Sequence, residues 1–142
     1  MKKVHLLFVL VLVTASGLFA QEEVKPVKFE NVSWQEVVLV DFKPGTIERA
    51  KEIITLYKAA GAAAQVPGPE MHWFMTGEYN MMLIWTMKNG PADMEWRRSP
   101  DGVKWWKEFI SQQGSKEAAE ALQKEYTSLV LKTTSYITYK EL

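Results

Sequence analysis

The chain has 142 residues, no cysteine, and 17 Lys plus Arg against 17 Asp plus Glu. That excludes disulfide scaffolds, thiolate zinc or iron–sulfur centres and cysteine nucleophiles, and it argues against a strongly basic nucleic-acid binder. The length suits one domain. At the start, Lys2-Lys3, an apolar run over residues 4–13 broken only by His5, and Gly17-Leu18-Phe19-Ala20 before Gln21 read as an export signal covering residues 1–20. Its removal takes away two Lys and no acid, leaving a slightly acidic chain that is expected to work in the periplasm or outside the cell. Residues 21–30, with three acids, two Lys and Pro26, read as a flexible leader, and residues 31–142 as the domain. No later apolar run approaches the roughly 20 residues that cross a bilayer, so no membrane or nucleic-acid partner is expected after signal removal.

Residues 32–42 are rich in β-branched and aromatic side chains, with Trp34, Val38, Val40 and Phe42 on one parity and Val37 and Leu39 on the other. That predicts a strand apolar on both faces in its second half. Pro44-Gly45 turns the chain and Thr46 is placed to cap a helix. In that helix Ala50, Ile53, Ile54, Tyr57 and Ala60 share one face, and residues 59–64 read as its frayed end. After a Pro/Gly loop over 65–69, residues 71–76 and 80–87 form two short apolar runs around Gly77-Glu78-Tyr79, a hairpin buried on two faces. A short helical piece over 92–98 precedes Ser99-Pro100, a cap with a first-turn proline. The helix that follows carries Trp105, Trp106, Phe109 and Ile110 on one face and closes at Gly114. Ser115 caps another helix with Ala118, Ala119, Leu122, Tyr126 and Leu129 on one arc, and residues 130–139 read as a last strand.

The order β-α-β-β-α-α-β predicts an α+β, ferredoxin-like fold: a four-stranded antiparallel sheet with helices on one face. Strands apolar on both sides need a second cover, and the simplest is another copy of the same sheet in a two-fold homodimer. Residues 38–46, the first helix, the 71–87 hairpin, the segment from Ser99-Pro100 to Trp105-Trp106 and the strand ending at Tyr139 together resemble the dimeric α/β-barrel superfamily. Antibiotic-biosynthesis monooxygenase-like and NIPSNAP-like domains belong to it. The resemblance implies a dimer of face-to-face sheets and a pocket between each sheet and its own helices, near Tyr57 and Trp106. Haem-degrading members of the superfamily place a haem-ligating His on the second helical segment. Here that segment has none.

His72, the one histidine beyond the signal, opens the hairpin between Met71 and Trp73. It is either a general base or pocket donor, or a partly buried side chain satisfied by a carbonyl. Met71, Met75, Met81, Met82 and Met87 cluster in the same hairpin. Thioethers beside an imidazole suit Cu(I), but parity sends His72 away from Met71 and Met75, and methionine equally fills core gaps, so no metal or cofactor is assigned. Tyr57, Trp73, Trp85 and Trp106, with Trp105, Phe74 and Phe109, either fill the core or line a cavity for a flat apolar ligand. Asp41 and Arg97-Arg98 read as solvated charges, or as groups at a pocket mouth that meet an anion.

The walker glycine loop, the dinucleotide fingerprint and the zinc-protease and hydrolase motifs are not in the sequence. Three functions therefore remain open. The first is an exported binding protein for an apolar or aromatic small molecule, with His72, Tyr57, Trp73, Trp85 and Trp106 as binding residues. The second is a cofactor-independent monooxygenase or isomerase with His72 as its candidate catalytic residue. The third is a structural dimerisation module. A cavity lined by His72 and Trp side chains favours the first two, and a filled core the third.

Overall fold

Val32–Phe42 (β1) is the central strand, antiparallel to Met81–Thr86 (β3) on one side and Val130–Glu141 (β4) on the other, while Glu70–Trp73 (β2) pairs with β3. The sheet order is β2-β3-β1-β4. Between strands lie helices Ile47–Ala63 (α1), Pro100–Gln113 (α2) and Lys116–Leu129 (α3), with a 3₁₀ segment at Gly90–Glu95 before α2. This is the ferredoxin-like α+β arrangement expected from element order. The structure is a computed structural model that describes residues 24–142. Of the expected signal and leader, residues 1–23 lie outside the described residues, and residues 24–30 carry no helix or strand. Among the described residues no helix is long and apolar enough to cross a membrane.

The helices all lie on one face. Val40, Phe42 and Met81 of the sheet pack with Ala50 and Ile54 of α1, joined by Val38, Met71, Trp73 and Leu83 and by Tyr126 and Leu129 of α3. These strand residues share one parity, because residues directly opposite across a ladder project to the same side. The other parity, with Val37 and Leu39 of β1 and Met82 and Ile84 of β3, has no helix over it among the described residues. A second cluster sits wholly in the helical layer, where Ala60, Phe109 and Ala119 are fully buried among Leu56, Tyr57, Trp105, Trp106, Ile110 and Leu122. Arg49 ties α1 to α3 by a two-pronged contact with Glu125, Nε to Oε1 at 2.6 Å and Nη2 to Oε2 at 2.9 Å.

Several boundaries differ from expectation. β2 stops at Trp73 instead of reaching residue 76, so Met75 is 95% exposed and shares no sheet face with Trp73. The hairpin connection instead bends toward β1, where Asn80 Oδ1 accepts from the Phe42 N–H at 2.7 Å. Thr46 stands at the start of α1 without capping it: its hydroxyl donates to the carbonyls of Lys43 and Leu129, at 2.8 and 3.3 Å. The end of α1 is not frayed, since Ala60 is fully buried against α2 and α3. The helical piece after the hairpin is the 3₁₀ segment, and it ends before Trp96, whose backbone is extended.

Ser99 and Ser115 do cap their helices, accepting from the N–H groups of Gly102 and Ala118, each at 3.1 Å. Gly114 closes α2 at φ +83, a conformation that costs a side chain energy. Replacing either serine by Ala should lower stability by about 1 kcal/mol, read as a lower denaturant midpoint with unchanged slope. The two losses should add, because the caps serve different helices.

Candidate functional site

Among the described residues, helices cover only part of the helix side of the sheet. α1 rests on the sheet through Ala50 and Ile54, but its later turns, with Leu56, Tyr57 and Ala60, meet α2 and α3 instead. The first half of β1 is thus left with a platform. Trp34 lies opposite Tyr139, and Glu36 lies opposite Trp85 on one side and Ile137 on the other. Trp85, Ile137 and Tyr139 are 42%, 39% and 46% exposed. The Trp34 and Tyr139 rings meet edge to face at 5.7 Å. Behind Trp34 the chain passes so close that a Cβ on Gly90, at φ +62, would stand 3.0 Å from Trp34 Cδ1, so this ring is held by backbone.

The residues singled out from the sequence fall into four places. Trp73 stacks on Phe42 at 6.2 Å inside the covered half, with Lys51 over its ring. Trp106 belongs to the helical cluster, stacked on Trp105 and tilted against Phe109, with the Arg98 guanidinium 5.3 Å from its ring. Trp85 is on the open platform. His72 is on the other side of the sheet, directly opposite Met82, and its Nε2 lies 2.8 Å from Glu70 Oε1. The sheet therefore separates His72 from Tyr57, Trp73, Trp85 and Trp106. The methionines scatter as well: Met81 is fully buried, Met71 packs on the core, Met82 is on the open face and Met75 is in a loop. Asp41 faces Lys132 across the β1–β4 ladder, and Arg97 is exposed.

Tyr57 joins the two clusters. Its ring packs edge to face on Trp105, Phe109 and Tyr126 at 5.5, 5.2 and 5.5 Å, and its carbonyl accepts from Trp105 Nε1 at 3.0 Å. Burial disfavours its phenolate, as does the charge of its neighbours, and the pKa is pushed up to about 12. Burial raises that of Tyr126 too. Both hydroxyls are therefore neutral donors over the physiological range. They border a depression of about 430 Å³ with Gln123, Lys124 and Thr127. A second, of about 410 Å³, runs past Trp85 between Pro67-Gly68 and the edge of β3, with Glu70 and Lys88 at its sides. His72 borders neither.

A raised tyrosine pKa means that the Tyr57 contribution to stability is complete below its ordinary value of 10 and is lost as pH rises through about 12. Tyr57→Phe keeps the ring and should flatten the fall in thermal midpoint over that alkaline window, with tyrosinate absorbance losing its latest-titrating group. An unchanged alkaline profile would mean that the Tyr57 hydroxyl is solvated.

Glu36 was not among the residues selected from the sequence, although the signal was present: it occupies the same parity as Trp34, Val38 and Val40, so a carboxylate points where apolar side chains point. Trp34 and Tyr139 were recognised as strand residues only.

Sheet order and helix placement together define a ferredoxin-like α+β domain whose described helices all pack on one face of the sheet. It is similar to a NIPSNAP family protein of unknown function from Agrobacterium tumefaciens, at 11% identity and a TM-score of 0.49 over 80% of this chain and 92% of that one. A second NIPSNAP family protein from the same organism aligns at 11% identity and a TM-score of 0.48, covering 75% and 90%. A dimeric protein of unknown function with a ferredoxin-like fold, from Bacteroides fragilis, aligns at 17% identity and a TM-score of 0.42, covering 81% and 100%. No family model matches the chain, and no curated protein matches it in sequence.

Proposed function

We propose that the protein is an exported, self-associating domain that holds a small apolar or aromatic molecule on the helix side of its sheet. One observation carries the binding reading: among the described residues, Trp85 and Ile137 stay exposed on the face that the helices otherwise roof. Aromatic rings held in place by backbone lose little freedom when a flat ligand lies on them, which favours binding. His72 is across the sheet from this platform, so the catalytic reading through His72 gains nothing from it. Titration with a panel of aromatic compounds should quench tryptophan fluorescence saturably, and Trp85→Leu should weaken that response. Indifference of the fluorescence to the whole panel would end the binding reading. Export is checked separately, since protein recovered outside the cytoplasm should have the intact mass of a chain beginning at Gln21.

Self-association is supported by the opposite face, where Val37, Leu39, Met82 and Ile84 form a continuous apolar patch that no helix of the described residues covers. A second copy related by a two-fold axis would cover both patches at once.

A further inference from the structure

From the edge of the sheet we infer that the ligand is a short extended peptide, which completes the β2–β3 ladder beside Thr86. This rests on the reading that the Trp85 side of the sheet binds a ligand, and it adds the ligand's chemical class. Along an antiparallel ladder the backbone groups of successive residues turn to opposite neighbours. The Met87 N–H donates to the Trp34 carbonyl at 2.9 Å, and the Phe74 N–H donates to the Asn80 carbonyl at 2.8 Å. Both bonds set the same phase: Leu83 and Trp85 turn their backbone to β1, while Met82, Ile84 and Thr86 turn theirs to the β2 side. Met82 and Ile84 meet His72 and Glu70 there. Thr86 meets no strand, because β2 begins at Glu70. Among the described residues no hydrogen bond takes up its N–H or its carbonyl.

Continued by two residues, the β2–β3 register would bring Gly68 opposite Thr86. Gly68 stands between Pro67 and Pro69, whose rings hold φ at about −65° and keep this stretch out of the ladder. The depression of about 410 Å³ opens there, with Pro67 and Gly68 on one wall, Thr86 on the other and exposed Trp85 along it. One rung of the ladder is missing, and the space for it is present. Glu70 and Lys88 at the two ends already contact His72 and Asp101, so it is the backbone and not a charge that sets what fits. A bare arene in this notch would strip water from the Thr86 N–H and carbonyl and replace neither bond. A peptide supplies both partners. About three residues, at roughly 3.3 Å each, fill the edge between the positions of Glu70 and Lys88. The middle one exchanges two bonds with Thr86, and its neighbours project to the side of Trp85, where apolar side chains cover the indole.

The probe is acetyl-Leu-Ala-Leu-amide, compared with the depsipeptide in which lactate replaces the alanine and an ester oxygen takes the place of one N–H. In the free protein the Thr86 amide should exchange rapidly while those of Met82 and Ile84 are protected, and saturating peptide should protect Thr86 and quench tryptophan fluorescence. The depsipeptide should bind about tenfold more weakly. Thr86→Pro removes the N–H without costing a ladder bond, and should weaken the peptide about tenfold or more at an unaltered thermal transition. If that variant fails to fold, the depsipeptide comparison decides. Thr86→Ala keeps both backbone groups and should bind like the wild type. A Thr86 amide already protected in the free protein, equal binding of peptide and depsipeptide, or binding lost in Thr86→Ala would each overturn the inference. So would a peptide that leaves both Thr86 exchange and fluorescence unchanged. In that case a saturable response to the aromatic panel would keep Trp85 as a binding site, and indifference to the panel would end the binding reading as well.

Discussion

Phe109→Ala should destabilise the folded domain by about 3–5 kcal/mol, seen as a lower urea midpoint at unchanged slope. Phe109 is fully buried and its ring stacks on Trp105 at 5.0 Å, meets Tyr57 edge to face at 5.2 Å and tilts against Trp106 at 5.9 Å. Beside it stand Ala60 and Ala119, whose side chains are too short to move into the vacated space, so most of the cavity would persist. The three lost ring contacts add to the transfer term. Val103→Ala on the same helix, 42% exposed, should stay within about 0.5 kcal/mol. A cost below about 1 kcal/mol for Phe109→Ala would show that the helical aromatic cluster is loosely filled, and would reopen it as a ligand cavity.

That distinction marks where the sequence stopped being informative. Helical periodicity puts Trp105, Trp106, Phe109 and Ile110 on one face, and that face is buried as expected. Periodicity says only that a face must be covered, not by what. Here the cover is α1 and α3 and not the sheet, which turns an expected cavity wall into a filled core. Local chemistry was easier to read. Ser99, Ser115 and Gly114 act within four residues of themselves, so their roles follow from neighbours in sequence. Thr46 shows the limit of the same logic, because one of its carbonyl partners, Leu129, is 83 residues away. Strand parity put His72 on the side away from Trp73, but it failed at Met75, which lies beyond the end of β2. The same parity holds Glu36, which was passed over among its apolar neighbours. Whether an inward position is roofed depends on where α1 turns from the sheet toward α2, which is a property of the packed helices.

Leu39→Asp should convert the protein from dimer to monomer at micromolar concentration in light scattering, while leaving the monomer folded. Leu39 lies opposite Met82, and next to that pair on the same face Val37 lies opposite Ile84. All four are half-buried in the isolated chain, so each has apolar surface left to cover. A two-fold axis through this patch would present it to itself. One substitution then places two carboxylates in the interface and removes two leucines, and the dissociation constant should rise more than about 100-fold. The monomer should tolerate the change because Leu39 does not belong to either buried cluster. Thr138→Asp, on the same face but in the outer strand β4, should weaken association far less, since charges at an interface rim remain solvated. A wild-type chain that is monomeric at those concentrations would refute the dimer. A dimer that ignores Leu39→Asp would place its interface away from this face, and Val37, Met82 and Ile84 would then need another partner to cover them.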